Sequence, residues 1–452
     1  MSISPELLQE AAALAARYLA SLEDRRVFPD AQAIAALDAL NIPLPADGQS
    51  PLDVLRQLNA HAGASVASAG PRYFGFVTGG TLPAALAASM LSAAWDQNTF
   101  SSVNSPVGVR MERIAIGWLR AALGLPEGAD GAFVTGATMA NFSGLLAARH
   151  ALLARQGWDV EARGLFGAPE IRVVVGAEAH SSLFKALGMA GFGRERVERV
   201  PVDGRGRMRA DQLPPLDERT LLCIQAGNVN TGAFDPAAEL CAAARAAGAW
   251  VHVDGAFGIW AAASPALRHL TTGVELADSW ATDGHKWLNV SYDCGAIFVR
   301  QPEHLAGAFA QQAAYLLRGE EREPYDFTPE ASRRARGIEA WAALLSLGQS
   351  GLADLIERNC AQARHMAAGL QAQGFAVLNE VVLNQVLVSF GDDDFTQRMI
   401  AALQAEGTFW AGSSQWQGRS AMRISFSSWR TTLADVERCL RAVARVSARL
   451  NA

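Results

Sequence analysis

Four short apolar runs, at 171–175, 221–226, 250–253 and 294–299, are separated by helical stretches such as Ala237–Ala247. Runs of four to six apolar residues without polar alternation read as strands covered on both faces, and the helices between them are the crossovers that parallel strands need. This alternation constrains the chain more than any other feature, to an α/β domain with a largely parallel sheet. Ligands of such sheets collect at the carboxyl ends of the strands. His180, Asn228, Asp254 and Lys286 all fall at or just past predicted strand ends. Four polar groups at one edge predict a binding site there.

The flanking segments add context. Ala132–Asn141 reads as a strand, a turn of small residues and a helix start. Free N–H groups at such a start, with the Thr138 hydroxyl, suit a phosphate, although no Gly-Lys-Ser/Thr of a Walker loop follows. Gly70–Gly80, rich in aromatics and glycine, is either a structural turn or a pocket wall. Residues 5–60 look helical, with Pro5 and Pro51 opening helices around a Pro/Gly-rich connector at 41–48, and this long segment is expected to pack on a partner subunit. Beyond residue 300, Arg318–Asp326 reads as an exposed, mobile loop, and Ser332–Gly337 as a solvated or anion-facing basic turn. Helices are expected over Trp341–Leu347 and Ala353–Gln373, then strand, helix, strand, helix at 381–390, 395–406, 421–426 and 433–450. The domain reading is a helical segment over 1–60, a large α/β domain over 61–345 and a small α+β domain over 346–452.

With 452 residues, half of them hydrophobic and 19% charged, the chain suits a globular protein of two lobes or more. A net charge of -6 argues against nucleic-acid or anionic-membrane partners. The five cysteines are scattered and form no CxxC or Cys/His cluster, so neither a disulfide framework nor a zinc site is expected. Glu6, Glu10 and Arg17 make the N-terminus an amphipathic helix and not a signal peptide, and no apolar run is long enough to span a bilayer. A cytoplasmic location is the expectation.

The chemistry concentrates in two stretches. Trp250–Asp254 is a buried strand closing on a carboxylate, and Asp278–Leu288 closes on His285-Lys286. Each residue alone could be a capping Asp or a surface Lys. Together they supply what a pyridoxal 5′-phosphate (PLP) site needs: a lysine to form a Schiff base, and a buried Asp to keep the pyridine nitrogen protonated.

These motifs, in this order, resemble the PLP-dependent amino-acid decarboxylases of fold type I, the group that holds the glutamate, histidine, tyrosine and aromatic-L-amino-acid enzymes. The resemblance runs from about Pro71 to the last helix. It implies a fold type I PLP-dependent transferase architecture, with a large domain around a mainly parallel sheet and a small C-terminal α+β domain. It also implies that Lys286 forms the Schiff base, with His285 near the phosphate. Asp254 would pair with the ring nitrogen, and Ala256 and His180 would pack on opposite ring faces. Ala137, Thr138 and Asn141 match the phosphate-binding turn, and Asn228 sits beside the ring, where the family often has Thr. Arg423, in Met422-Arg423-Ile, matches a carboxylate clamp. Asp283 departs from the family's usual Asn, and because a carboxylate repels phosphate it is expected to turn elsewhere or to cap the backbone. Tyr325 is the match to the loop tyrosine that protonates the substrate carbon, a role His180 could also take.

Phe76, Thr78, Phe100 and Trp410 align with positions lining the family's pocket, and Phe76 leans the substrate toward an aromatic or otherwise apolar amino acid. The family's pockets form between subunits, so the resemblance implies a homodimer with shared active sites. Within the same fold, a transaminase, an aldolase-type lyase or an aldehyde-forming oxidative decarboxylase is the alternative. A PLP-fold protein that has lost catalysis is the alternative from another class.

Overall fold

The computed structural model describes residues 4–310 and 322–451. They divide into two compact units, one of the described residues in Met1–Thr78, Arg364–Leu378 and Val386–Ala452, the other of Gly79–Ala363 and Asn379–Gln385. The N-terminal segment therefore groups with the C-terminal strands and helices. Among the described residues no helix is long and apolar enough to cross a membrane.

The larger unit is built on seven strands: β1 (Asp130–Val134), β2 (Arg172–Gly176), β3 (Glu198–Val200), β4 (Thr220–Gln225), β5 (Trp250–Asp254), β6 (Ser279–Asp283) and β7 (Gly295–Val299). Their order is β1-β7-β6-β5-β4-β2-β3. From β3 to β6 every pairing is parallel, and β7 alone runs against the rest. The register sets Val134 and Asp283 on either side of Gly295, so the carboxyl ends of β1 and β6 meet at the start of β7. The ends of β2, β4 and β5 share that edge. This is the predicted α/β arrangement, and every residue of β5, β6 and β7 is buried, as strands covered on both faces require.

The helix Ala137–Ala154 lies across β5, β6 and β7. Apolar or small side chains occupy nearly all of its surface, which is the composition of a helix with no solvated face. Leu145, Leu146, Ala148 and Leu152 join Val173, Val175, Leu221, Trp250, Ile297 and Val299 in one core. Each buried leucine contributes about 2 kcal/mol relative to exposure. Pinned this way, the helix points its N-terminus at the strand edge.

Two readings of the larger unit are corrected. Arg333 and Arg336 of the 332–337 turn are buried while Arg334 stays exposed: Arg333 donates to both oxygens of Glu112 at 3.0 and 2.9 Å and to the Phe133 carbonyl at 2.7 Å. Arg334 pairs with Glu339, and Arg336 with Asp293. The stretch expected as an exposed loop falls partly outside the described residues, but Glu323–Asp326 is buried, and Ser102 anchors Glu323 through its backbone N–H and its hydroxyl. The helices expected over 341–347 and 353–373 run as Arg336–Ala372, broken at Gly348, whose φ of 61° is left-handed.

In the smaller unit, Ser4 and Ser50 cap the helices Pro5–Ser21 and Pro51–Ala60, each with proline in its first turn. The sheet comprises β8 (Ala376–Val377), β9 (Gln385–Ser389), β10 (Gly412–Trp416) and β11 (Arg419–Ser425), ordered β10-β11-β9-β8. Helices Asp393–Glu406 and Leu433–Asn451 accompany it. Buried Arg72 ties the N-terminal stretch in, through Asp435 at 2.7 Å and the Thr408 carbonyl at 3.0 Å.

Candidate active site

The strand edge of the larger unit gathers the predicted groups. Lys286 sits three residues past β6 on a loop held at both ends. The N–H groups of Gly284 and His285 donate to the Cys294 carbonyl, Trp287 Nε1 donates to Asn359 at 2.9 Å, and Asn289 Nδ2 donates to the Trp287 carbonyl at 2.8 Å. Asn289 has a φ of 55°, and a Cβ at Gly79 would lie 1.9 Å from the Lys286 carbonyl, so only glycine lets that segment approach. A lysine on so fixed a loop has one place to project. Its Nζ lies 3.0 Å from Asp283 Oδ2 and 5.9 Å from the centre of the Phe257 ring.

Of the two alternatives for Asp283 the structure has the backbone cap: Oδ1 accepts the Ala137 N–H at 2.6 Å, at the start of the helix Ala137–Ala154. The His285 ring stands 3.5 Å from the same oxygen, accepts the Cys294 N–H at Nδ1 and stacks on Tyr292 at 4.3 Å. Burial holds the His285 pKa below its usual value, with Asp283 opposing that shift. Gly136 precedes the helix, and a Cβ at Gly295 would come within 2.5 Å of its Cα. Glycine at both positions keeps the turn tight, and with the Ala137 N–H taken by Asp283 the Thr138 end of the turn is what is left for the predicted phosphate.

On the neighbouring strand, Asp254 closes β5 and is buried. Its Oδ1 accepts the Ala256 N–H at 3.2 Å and its Oδ2 accepts Asn141 Nδ2 at 3.1 Å. Asn141, expected with the phosphate turn, is a full turn into the helix, and both ends of its amide are committed to Asp254 and His252. His180 caps the helix Ser181–Met189, its Nδ1 meeting Ser182 Oγ at 2.7 Å. Asn228 is buried in its own turn, Oδ1 accepting the N–H groups of Asn230 and Thr231. Asp235 pins that turn by accepting the Met208 and Gln225 amides at 2.6 and 2.7 Å. Burial pushes the Asp235 carboxyl up to about 6 against the pull of those two amides.

The remaining predicted residues are distributed between the units. Phe100 and Tyr325 belong to the larger one and stack at 4.9 Å, with Tyr325 1% exposed and packed into a 3-10 turn rather than carried on an open loop. Phe76, Thr78 and Arg423 belong to the smaller one. Phe76, at a φ of 55°, stacks on Trp410 at 5.6 Å and stays 62% exposed, whereas Thr78 is buried and its carbonyl accepts Ser427 Oγ. Arg423 is half-buried on β11, and desolvation lowers its pKa.

The donor set at the edge of the larger unit fits PLP. A buried carboxylate with a donor already behind it suits a protonated ring nitrogen, a helix N-terminus with glycine at its turn suits a phosphate, and a rigidly held amine suits covalent attachment. The chain has only two lysines, and the other, Lys185, lies in the helix Ser181–Met189. A family model, the pyridoxal-dependent decarboxylase conserved domain, matches residues 38–391. The chain belongs to that family. PLP is therefore its cofactor, and amino-acid decarboxylation is the chemistry of its relatives. Tryptophan decarboxylase 1 of Oryza sativa subsp. japonica is 28% identical over 375 residues, which is 77% of this chain and 72% of that one. Cysteine sulfinic acid decarboxylase of Mus musculus is 28% identical over 360 residues, 75% of this chain and 71% of the relative. The fold of this decarboxylase-family chain matches the crystal structure of Oryza sativa TDC with PLP and tryptamine at a TM-score of 0.91, with 23% identity, covering 99% of this chain and 100% of the other.

Sequence reasoning passed over His252 and Ser279. The signal was present in β5: Trp250, His252 and Asp254 alternate, so all three share one face of a buried strand. Three polar-tipped side chains on a dry face must be satisfied by one another or by whatever covers them.

Proposed function

We propose that this protein converts an aromatic or otherwise apolar L-amino acid to its amine and CO2. The observation that carries the reading is the pairing of neighbouring strand ends: β5 delivers a buried carboxylate already held by Asn141, and β6 delivers the lysine. PLP, when bound, supplies the sink for the electrons released as the carboxylate departs. Lys286 would hold the cofactor and Thr138 would take its phosphate with His285 close by; Ala137, predicted with Thr138, has its N–H held by Asp283. Asp254 keeps a proton at the ring nitrogen. His180 and Ala256 would cover the two faces of the cofactor ring, with Asn228 beside it, as the resemblance implies. Arg423 as carboxylate clamp, and Phe76, Thr78 and Phe100 as side-chain contacts, follow from the resemblance. His180 or Tyr325 returns the proton to carbon.

The lean toward an apolar substrate has support in the strand edge. The segments following β1, β2, β4, β5 and β6, at 135–138, 177–182, 226–231, 255–260 and 284–290, contain no arginine, and Lys286 is their one lysine, whereas the segment after the edge strand β3 carries Arg205. An acidic side chain would need a second cation. A homodimer is part of the proposal, supported by exposed apolar residues on the N-terminal segment (Ile34, Leu40, Leu44, Leu58) and on the helix Pro83–Trp95 (Met90, Leu91, Trp95).

The test is product analysis. PLP-loaded protein is offered aromatic, aliphatic, acidic and sulfinic amino acids and assayed for CO2, amine, aldehyde and keto acid. CO2 with an equal amount of amine from an aromatic substrate is the expected result. Amine from acidic substrates alone overturns the substrate class, and aldehyde or keto acid overturns the reaction.

A further inference from the structure

Behind Asp254 runs a line of four polar side chains, all in the larger unit and all buried. Trp250 Nε1 lies 3.0 Å from Ser279 Oγ, Ser279 Oγ lies 2.8 Å from His252 Nδ1, His252 Nε2 lies 2.9 Å from Asn141 Oδ1, and Asn141 Nδ2 lies 3.1 Å from Asp254 Oδ2. The two ends settle the direction. An indole N–H can only donate, and an ionised carboxylate can only accept. Ser279 accepts from Trp250 and gives its own hydrogen to His252 Nδ1. The imidazole then carries its proton on Nε2 and donates it to Asn141 Oδ1, which leaves the amide nitrogen facing Asp254. The opposite run would turn the Asn141 oxygen onto the carboxylate, acceptor against acceptor.

The fold makes room for this arrangement. His252 and Ser279 are register partners on β5 and β6. Opposite the ring, the helix Ala137–Ala154 carries Gly144, where a Cβ would lie 2.6 Å from His252 Cε1 and 2.7 Å from Nδ1. A glycine in a helix interior is less favourable than alanine, so the helix gives up stability to admit the ring. With no charged group in contact, the imidazole is pushed down to about 3 by burial and stays neutral.

We propose that His252 and Asn141, backed by Ser279 and Trp250, are positioning residues that orient the Asp254 carboxylate for the cofactor's ring nitrogen. This rests on the reading of Asp254 as the partner of that nitrogen. The relay works by fixing one amide. With His252 Nε2–H on its oxygen, Asn141 has a single orientation and its donor is always aimed at Asp254. Without that bond the buried amide is free to rotate, and half of its orientations oppose the carboxylate.

The experiment measures the PLP dissociation constant of wild type, His252→Leu, His252→Gln, Asn141→Leu and Asp254→Asn, together with His252→Leu in the Asp254→Asn background. The unfolding midpoint without PLP is recorded for each as a control on folding. Asp254→Asn is expected to weaken PLP binding strongly. His252→Leu and Asn141→Leu are expected to weaken it about tenfold or more, the effect of one charge-assisted hydrogen bond. Glutamine can donate to Asn141 and accept from Ser279, so His252→Gln should recover to within about threefold, and His252→Leu should have no further effect once residue 254 is neutral. The proposal is overturned if His252→Leu binds PLP as wild type does, if glutamine is as damaging as leucine, or if His252→Leu costs the same factor in both backgrounds, which marks a packing role. Wild-type binding by Asp254→Asn overturns the reading of Asp254 and the relay with it. None of these measurements needs turnover, so a failed decarboxylation assay leaves them intact.

Discussion

Replacing Gly144 by alanine tests the packing behind the candidate site through the sign of its effect. In the interior of an exposed helix this change stabilises by about 0.5–1 kcal/mol, because glycine loses more backbone freedom on folding. Here the new methyl group would lie 2.6 and 2.7 Å from two atoms of the His252 ring and 3.0 Å from Ile297 Cδ1. Ordinary carbon contacts are about 3.5–4.0 Å, so the ring must move by about 1 Å. It is held at both nitrogens, by Ser279 at 2.8 Å and Asn141 at 2.9 Å, so retreat stretches or breaks a buried hydrogen bond. Overpacking costs about 1–3 kcal/mol and an unsatisfied buried polar group about 1–3 more, against a propensity gain of at most about 1. The expected net effect is a destabilisation of about 3 kcal/mol. Gly117, inside the helix Pro106–Ala122, is the matched control: a Cβ there would meet nothing within 4 Å, and Gly117→Ala should raise stability. Urea unfolding of both variants without PLP gives the comparison. A Gly144→Ala protein at least as stable as wild type would refute the placement of the ring.

Lys286→Ala should abolish the fixing of PLP to the protein by borohydride, read as the loss of the mass increase seen with wild type; persistence of that adduct would move the attachment to Lys185 or the N-terminus. Burial lowers the His252 pKa from 6.5 to about 3, so its neutral form contributes stability that is complete above 6.5 and declines as pH falls toward 3. Each pH unit in that window carries up to about 1.4 kcal/mol, and His252→Gln should flatten the fall in urea midpoint between pH 6 and pH 4; identical slopes would contradict the burial argument. Glu112→Ala leaves the Arg333 guanidinium, 0% exposed, without its carboxylate, and should cost about 3–5 kcal/mol of stability by chemical denaturation; a change under about 1 kcal/mol would mean the pair is solvated in solution.

Much of the larger unit was legible in the sequence because its signals are local. Buried parallel strands are continuous apolar runs, and a polar residue that ends such a run must lie at the sheet edge. That placed His180, Asn228, Asp254 and Lys286, and the chemistry of a carboxylate was enough to take Asp283 off the phosphate, though not to name the Ala137 N–H as its partner. The strands that escaped notice carry no such signal: β3 has three residues, β8 has two, and β10, Gly-Ser-Ser-Gln-Trp, is a polar ribbon at the end of its sheet.

What only the tertiary structure decided are partnerships between distant residues. Arg333 reads as a solvated turn residue until Glu112, 221 positions away, is brought against it. Tyr325 lies in a polar stretch and is nonetheless buried against Phe100. Asn141 belongs by spacing to the phosphate turn, but it lies one full turn, about 6 Å, further along the helix than Ala137, and there its amide meets Asp254 and His252 of β5. A donor has no periodicity that names its acceptor. The sequence determined which groups reach the sheet edge, and packing determined which of them face one another.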